Sequence, residues 1–415
     1  MRRILAASAA GNMLEWYDFA AYAYMAPVLG RLFFPDSDPF ASLIASFGAF
    51  AAGYVVRPLG ALVFGPLGDC LGRKALMIVS IALMGGATLA IGLLPTTGQI
   101  GIAAAILLVA LRVVQGLSLA GEFSGAITYM AEHAPPARRG FFTCAVATMQ
   151  NAGFLLGSAI AALLAMALDQ GQMDAWGWRI PFLLGGVMAV GALILRRGLV
   201  EPPTIAEGGT RGTPLRDALR DHWRDILRIA GLYVGARTGF YVVFVYGASY
   251  LTQSMHVSTA TAMDIGTGCL VVLLLLPLPV AMLSDRFGRR PVNLGSTLAM
   301  LVLAYPLFAL MHHHDTVHVL AGQLGFAVVI ACMSGASAVA LVELLPYHVR
   351  STGLAIGINA ATALFGGTAP MVATWLVKRT ADDFSAVYYL LALTAVSLIA
   401  ILSIPETRGR NLDRP

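Results

Sequence analysis

Charge is what this chain most lacks. Asp, Glu, Lys and Arg make up 12% of its 415 residues, whereas a water-soluble domain carries about 25%. Hydrophobic residues reach 58% and the mean hydropathy is +0.76. That leaves too little polar surface for a soluble globular enzyme. Cysteine is nearly absent: Cys70, Cys144, Cys269 and Cys332 stand singly, without metal or redox spacing, and read as small packing residues. There is no Gly-x-x-x-x-Gly-Lys phosphate loop, which argues against transport powered directly by ATP on this chain. The basic start Arg2-Arg3 runs into an apolar span with no small-residue cleavage site, so no removable signal peptide is expected. No enzyme constellation emerges, and no cofactor, metal or nucleic acid is implied. The run His312-His313-His314-Asp315 reads as a loop, because adjacent histidines chelate one ion poorly.

Long hydrophobic runs are what the chain does have. A spanning helix needs about 20 apolar residues. By that rule twelve spans are expected, near 5–30, 41–68, 74–94, 102–132, 140–168, 179–199, 226–254, 259–284, 291–311, 317–345, 351–377 and 385–404. The fold class is therefore an all-α membrane protein. Twenty of the 27 basic residues fall on one side of this arrangement and four on the other. The positive-inside rule then places both termini in the cytoplasm. Between spans six and seven, Leu215, Leu219, Trp223 and Leu227 recur at helical spacing among Arg216, Asp217, Arg220, Asp221 and Arg224. That pattern predicts an amphipathic linker helix on the cytoplasmic membrane surface.

The chain also repeats itself. Asp69-Cys-Leu-Gly72-Arg73-Lys74 closes one span, and Asp285-Arg-Phe-Gly288-Arg289-Arg290 closes another 216 positions later. Glu132 precedes Pro135 by three residues and Arg139 by seven. Glu343 stands in the same relation to Pro346 and Arg350. Two related six-helix halves follow, 1–199 and 226–415, joined by the linker 200–225, as in a rocking secondary transporter. An Asp at a helix end accepts N–H groups from a neighbouring helix N-terminus, and the adjacent Arg reaches a Glu. On that basis Asp69, Arg73 and Glu132 form one cytoplasmic gate cluster, and Asp285, Arg289 and Glu343 the other.

These tracts resemble the loop signature of the major facilitator superfamily. Four further stretches are similar to its metabolite:proton symporter family, which carries citrate, α-ketoglutarate, tricarballylate, shikimate, proline or betaine. They are Gly11-Asn-Met-Leu-Glu15-Trp-Tyr-Asp18-Phe19, Arg57-Pro-Leu-Gly60, Arg112-Val-Val-Gln115-Gly-Leu-Ser-Leu-Ala-Gly-Glu122, and Trp176-Gly-Trp-Arg179-Ile-Pro-Phe182. The resemblance covers nearly the whole chain and implies two pseudo-symmetric bundles in a bacterial inner membrane. It also implies that spans one, four and seven line a central cavity. Some osmolyte carriers of that family bear a long C-terminal helical extension, and residues 405–415 show no heptads of that kind.

Features that break the repeat are the candidates for chemistry. The positions matching Arg112 and Glu122 are Gln323 and Met333, and Asp18 and Arg237 also have no charged counterpart. At 1.5 Å per residue, Asp18, Arg112 and Arg237 lie about 15–20 Å into their spans, near the midplane. A charge there is costly unless it is paired or lines a watery cavity. Two guanidinium groups suit an anion, and Asp18 suits a proton carrier. Glu15 shares its face, one turn away. Glu122 lies nearer the cytoplasmic end, where a gate or coupling role and a partnership with Arg57 or Arg73 are expected. Tyr22, Gln115, Gln150, Asn151, Tyr241 and Asn359 are candidates to complete the pocket. The main expectation is a monomeric proton-coupled importer of a small organic anion, a di- or tricarboxylate. The alternatives are a monocarboxylate or zwitterion symporter, a proton-driven efflux carrier, or a non-transporting sensor.

Overall fold

A computed structural model describes residues 2–36, 39–198, 214–247, 250–251, 255 and 259–412. Among them every regular element is helical. The helices are α1 (Arg2–Phe33), α2 (Pro39–Val55), α3 (Arg57–Cys70), α4 (Arg73–Leu93), α5 (Ala103–His133), α6 (Arg139–Ala167), α7 (Arg179–Arg197) and α8 (Pro214–Asp221). They continue as α9 (Trp223–Phe240), α10 (Thr259–Leu275), α11 (Pro277–Phe287), α12 (Arg289–Met311), α13 (Thr316–Glu343), α14 (Arg350–Ala361), α15 (Ala369–Thr380) and α16 (Ser385–Ser403). Eleven helical stretches of the described residues are long and apolar enough to cross a membrane. The 32-residue α1 is the further helix expected at the start of the chain, with a lower mean hydropathy because Asn12, Glu15 and Asp18 interrupt it.

Helix ends follow local chemistry. Pro58 and Pro277 sit in the first turns of α3 and α11, where a missing N–H is tolerated, and each divides one expected span into two segments. The two signature loops share one backbone device. Gly72 and Gly288 have φ of 100° and 108°, a region that disfavours any side chain, and each sits directly before the next helix. The expected linker helix is present over Pro214–Asp221, and a break at His222 separates it from α9. Leu219, Trp223 and Leu227 are exposed while Ala218 and Ile226 are buried, so one face packs inward and an apolar stripe faces out. The preceding linker residues, 199–213, lie outside the described residues.

The chain divides into two compact units. The first comprises Met1–Tyr129 and Met149–Pro214, and the second comprises Met130–Thr148 and Leu215–Pro415. In the first unit α4 packs on α7, and α1 packs on α2 and α7. A Cβ on Gly153 or Gly157 would lie 2.0 Å from the Met13 carbonyl oxygen or 2.6 Å from Ala20 Cβ, so α6 rides directly on α1. The Trp176–Phe182 stretch is a packing device. Trp178 is fully buried, its ring is edge-on to Phe33 at 5.4 Å, and Pro181 accepts the Tyr17 hydroxyl at 2.7 Å. In the second unit α12 packs on α13, and α9 packs on α14 and α16. Gly357 repeats the close approach against Ile229 of α9, 2.7 Å from a notional Cβ.

Candidate substrate site and signature-loop clusters

Three candidate residues of the first unit, Asp18, Arg112 and Gln115, form one hydrogen-bonded group with Thr88. Asp18 of α1 accepts from Arg112 Nη1 at 3.0 Å, Gln115 Nε2 at 3.0 Å and Thr88 Oγ1 at 2.8 Å. Arg112 also donates to Gln115 Oε1 at 2.7 Å, one turn along α5. Tyr22, one turn beyond Asp18, places its ring 4.3 Å beneath the Arg112 guanidinium carbon. All of these are buried. Such a set tolerates a low-dielectric setting because the charges are matched and most polar atoms are bonded. Thr88 escaped the sequence reading; a lone threonine in an apolar run carries no signal of its own.

A second pair lies beside the first. Arg57, the first residue of α3, donates to Glu15 at 3.3 Å. Its guanidinium lies 4.8 Å from the Phe19 ring and 4.5 Å from Tyr54. Arg112 lies over the same Phe19 ring at 5.3 Å and over Phe50 at 5.2 Å. Two mid-span arginines therefore share an aromatic platform, and each has a carboxylate from α1.

Glu122 departs from expectation. Its partner is Arg196 at the end of α7, not Arg57 or Arg73. Arg196 is fully buried, donates through Nε to the Ala7 carbonyl at 3.1 Å, and bonds the Met77 carbonyl. Ser80 donates to the same carboxylate at 2.7 Å. Arg196, near the end of the span expected at 179–199, was not among the candidate residues. Its burial is possible because Gly11 leaves a notch: a Cβ there would meet both Arg196 Nη2 and Glu122 Oε1 at about 2 Å.

In the second unit, Arg237 donates through Nε to the Tyr233 hydroxyl at 2.6 Å and stacks on that ring at 4.9 Å. Tyr241 is buried in a wider turn that follows α9. Asn359 donates to the Ala355 carbonyl of its own helix at 2.8 Å. In the first unit Asn151 is buried and Gln150 half-buried on α6, and no position beside Asp18 is described for them.

Both signatures contain the same Arg–Asp pair: Arg73 to Asp69 and Arg289 to Asp285, each at 2.7 Å. Asp285 also accepts the backbone N–H groups of Gly140 and Phe141, at 2.8 and 3.0 Å, and so caps α6. Arg289 grips Glu343 at 3.1 Å. The Glu-to-Arg spacings are used crosswise. Arg350 of the second tract binds Glu132 of the first at 2.7 Å, and Arg139 of the first binds Glu343 of the second at 3.3 Å. A tail threads through this cluster. Thr407 donates to Glu343 at 2.7 Å, and the carbonyls of Arg410 and Leu412 accept from Arg139 and Arg350. Glu406 accepts the N–H groups of Arg289 and Arg290 at the start of α12. Burial alone would raise the Glu406 pKa. Backbone donors from Arg289, Arg408 and Arg290 outweigh it and hold the carboxyl below the ordinary glutamate range. None of the tail's contacts was expected from sequence.

Comparison with known proteins gives the same fold. The Major Facilitator Superfamily model matches residues 8–248, and the Sugar (and other) transporter model matches residues 217–414. The chain belongs to the major facilitator superfamily. It is 34% identical to the proline/betaine transporter of Salmonella typhimurium over 99% of this chain and 85% of that protein. It is 33% identical, with the same coverage, to the glycine betaine/proline/ectoine/pipecolic acid transporter of Dickeya dadantii. The ectoine/proline transporter of Corynebacterium glutamicum is 34% identical, again with that coverage. The solved proton:xylose symporter XylE, at 20% identity, superposes with a TM-score of 0.84 over 99% of this chain and 97% of its own. This major facilitator is thus a multi-pass membrane transporter of the secondary type.

Proposed function

We propose that this carrier imports a net-neutral zwitterionic solute, of the betaine or proline kind, together with protons across the bacterial inner membrane. The observation that carries this reading is the matched charge of the mid-span groups. Arg112 is paired with Asp18 and Arg57 with Glu15, so these four groups together carry no net charge. A di- or tricarboxylate would need surplus cation, and the sequence argument for one counted two arginines against a single acid. The substrates for which the relatives are named point the same way. Tyr233 is a hydrogen-bonding partner of Arg237, which lessens the case for Arg237 as a dedicated anion clamp.

The chemistry is an exchange of partners. A substrate carboxylate presents two oxygens to the planar fork of Arg112 and competes with Asp18 for it. Asp18, losing its cation, gains proton affinity in an apolar layer. Substrate and proton therefore favour each other's binding by linkage. The substrate's ammonium end meets ring faces and the carboxylates of α1. Glu15 is a second proton candidate, whereas Glu122, held by Arg196, serves better as a structural partner. The signature clusters act as the cytoplasmic gate, with both termini on that side and one chain as the working unit.

Uptake into proteoliposomes with an imposed inward proton gradient tests this, using betaine, proline, citrate and α-ketoglutarate. Betaine or proline should accumulate in the wild-type protein. Asp18→Asn should bind substrate without gradient-driven accumulation. Accumulation of citrate alone, or full accumulation by the Asp18→Asn variant, would overturn the reading.

A further inference from the structure

The buried arginines of this protein differ in how completely their donors are used. Two in the second signature tract are saturated. Every guanidinium nitrogen of Arg289 and Arg350 donates to a carboxylate or a carbonyl, and Arg196 at the end of α7 is equally complete. In the middle of the first unit they are not. Among the described residues, Nε of Arg57 and both Nε and Nη2 of Arg112 have no hydrogen-bond partner. Arg57 is 6% exposed and Arg112 1%, so bulk solvent does not reach these donors. A buried donor left unmade costs about 1–3 kcal/mol, and native structures rarely keep one without a use.

The open donors belong to two guanidinium groups stacked over one ring, that of Phe19, at 4.8 and 5.3 Å. Tyr54 lies under Arg57 and Tyr22 under Arg112, so each cation is held flat by aromatic faces while part of its donor edge stays unused. Arg57 stands near the middle of the Ala45–Cys70 span, and Asp18 near the middle of α1. We infer that Arg57 is a second substrate-binding residue: Arg57 and Arg112 together form a two-guanidinium clasp for one carboxylate, with Phe19 as its platform. A single carboxylate has two oxygens with about four acceptor positions, enough for donors from both groups. The clasp rests on the zwitterion reading above. Glu15 and Asp18 are then the internal carboxylates that occupy the two arginines before substrate does. Lysine cannot replace Arg57 here, because it has neither the planar fork nor the face that stacks on Phe19 and Tyr54.

The test is betaine uptake by the whole protein in proteoliposomes, with KM and kcat measured separately for Arg57→Lys, Arg57→Gln and Phe19→Leu. Thermal unfolding of each purified variant is measured alongside. The expected result for Arg57→Lys is a KM raised about tenfold, the loss of one good charge-assisted contact, with kcat within twofold and unfolding unchanged. Phe19→Leu keeps every charge and should also raise KM, since it removes the shared platform. KM within twofold of wild type in both Arg57→Lys and Phe19→Leu refutes the clasp. So does lost uptake that tracks a lowered unfolding temperature in all three variants, because Arg57 is then a packing charge. Absence of betaine and proline uptake by the wild-type protein refutes the substrate reading instead, which separates the two failures.

Discussion

The Glu122–Arg196 pair offers the sharpest test of how the first unit is held. Both side chains are essentially without solvent contact, at 1% and 0% exposure. Arg196 ties four helices: it reaches Ala7 on α1, Met77 on α4 and Glu122 on α5 from its own place on α7. Arg196→Met fills most of the same volume but leaves the Glu122 carboxylate buried with the Ser80 hydroxyl as its described partner. Breaking a buried pair in this way costs about 3–5 kcal/mol, and Glu122→Met should cost a similar amount by stranding the guanidinium. Removing both charges together removes the stranded ion. The double variant should therefore be at least about 2 kcal/mol more stable than the sum of the single losses predicts. Unfolding by sodium dodecyl sulfate in mixed micelles, followed by tryptophan fluorescence, reads all four corners of the cycle. Simple additivity, or a single variant within about 1 kcal/mol of wild type, would refute the Glu122–Arg196 pair as a tie between these helices. Uptake supplies a second arm: the double variant should still accumulate substrate. A double variant that is folded yet uncoupled would return Glu122 to the proton path.

Three further outcomes are expected. Gly11→Ala should lower the unfolding temperature and the folded yield, because its Cβ meets a guanidinium already fixed by four bonds; unchanged thermal unfolding would mean that α1 yields there without cost. Arg350→Glu should sharply reduce folded protein, and adding Glu132→Arg should recover part of it by restoring the pair in reverse; gel filtration of detergent extracts that shows no recovery would deny the crossed pairing. Glu406 has a lowered folded pKa, so its share of tail docking is present above the ordinary glutamate range and lost as pH falls through that lower value. Hydrogen exchange of residues 404–412, normalised to intrinsic rates, should show loosening in acid for wild type and none specific to acid in Glu406→Gln.

Sequence alone went far on architecture because a bilayer constrains a chain so heavily. Backbone groups in lipid must bond within their own helix, so long apolar runs translate directly into helices. The span expected at 291–311 is α12, Arg289–Met311, and that at 385–404 is α16, Ser385–Ser403. The duplicated Asp-x-x-Gly-Arg tracts foretold paired loops with matching backbone, and Gly72 and Gly288 have nearly the same φ. The pairing of Asp18 with residues of span four was within reach, since unmatched mid-span charges of opposite sign have few other partners.

Which charge meets which was decided only by helix rotation and close packing. Hydropathy is blind to both. Arg57 looked like a partner for Glu122, yet α3 turns it toward Glu15 and the Phe19 ring. Arg196 carried no signal in the sequence beyond its place near a span end, yet the absence of a side chain at Gly11 admits it to the interior. The two Glu-to-Arg spacings looked like separate latches, and the fold crosses them. Composition and periodicity thus determined a helical membrane protein with duplicated signature loops. The tertiary structure decided its charge pairing, because an ion in an apolar layer takes the partner that packing brings within about 3 Å, not the one nearest in sequence.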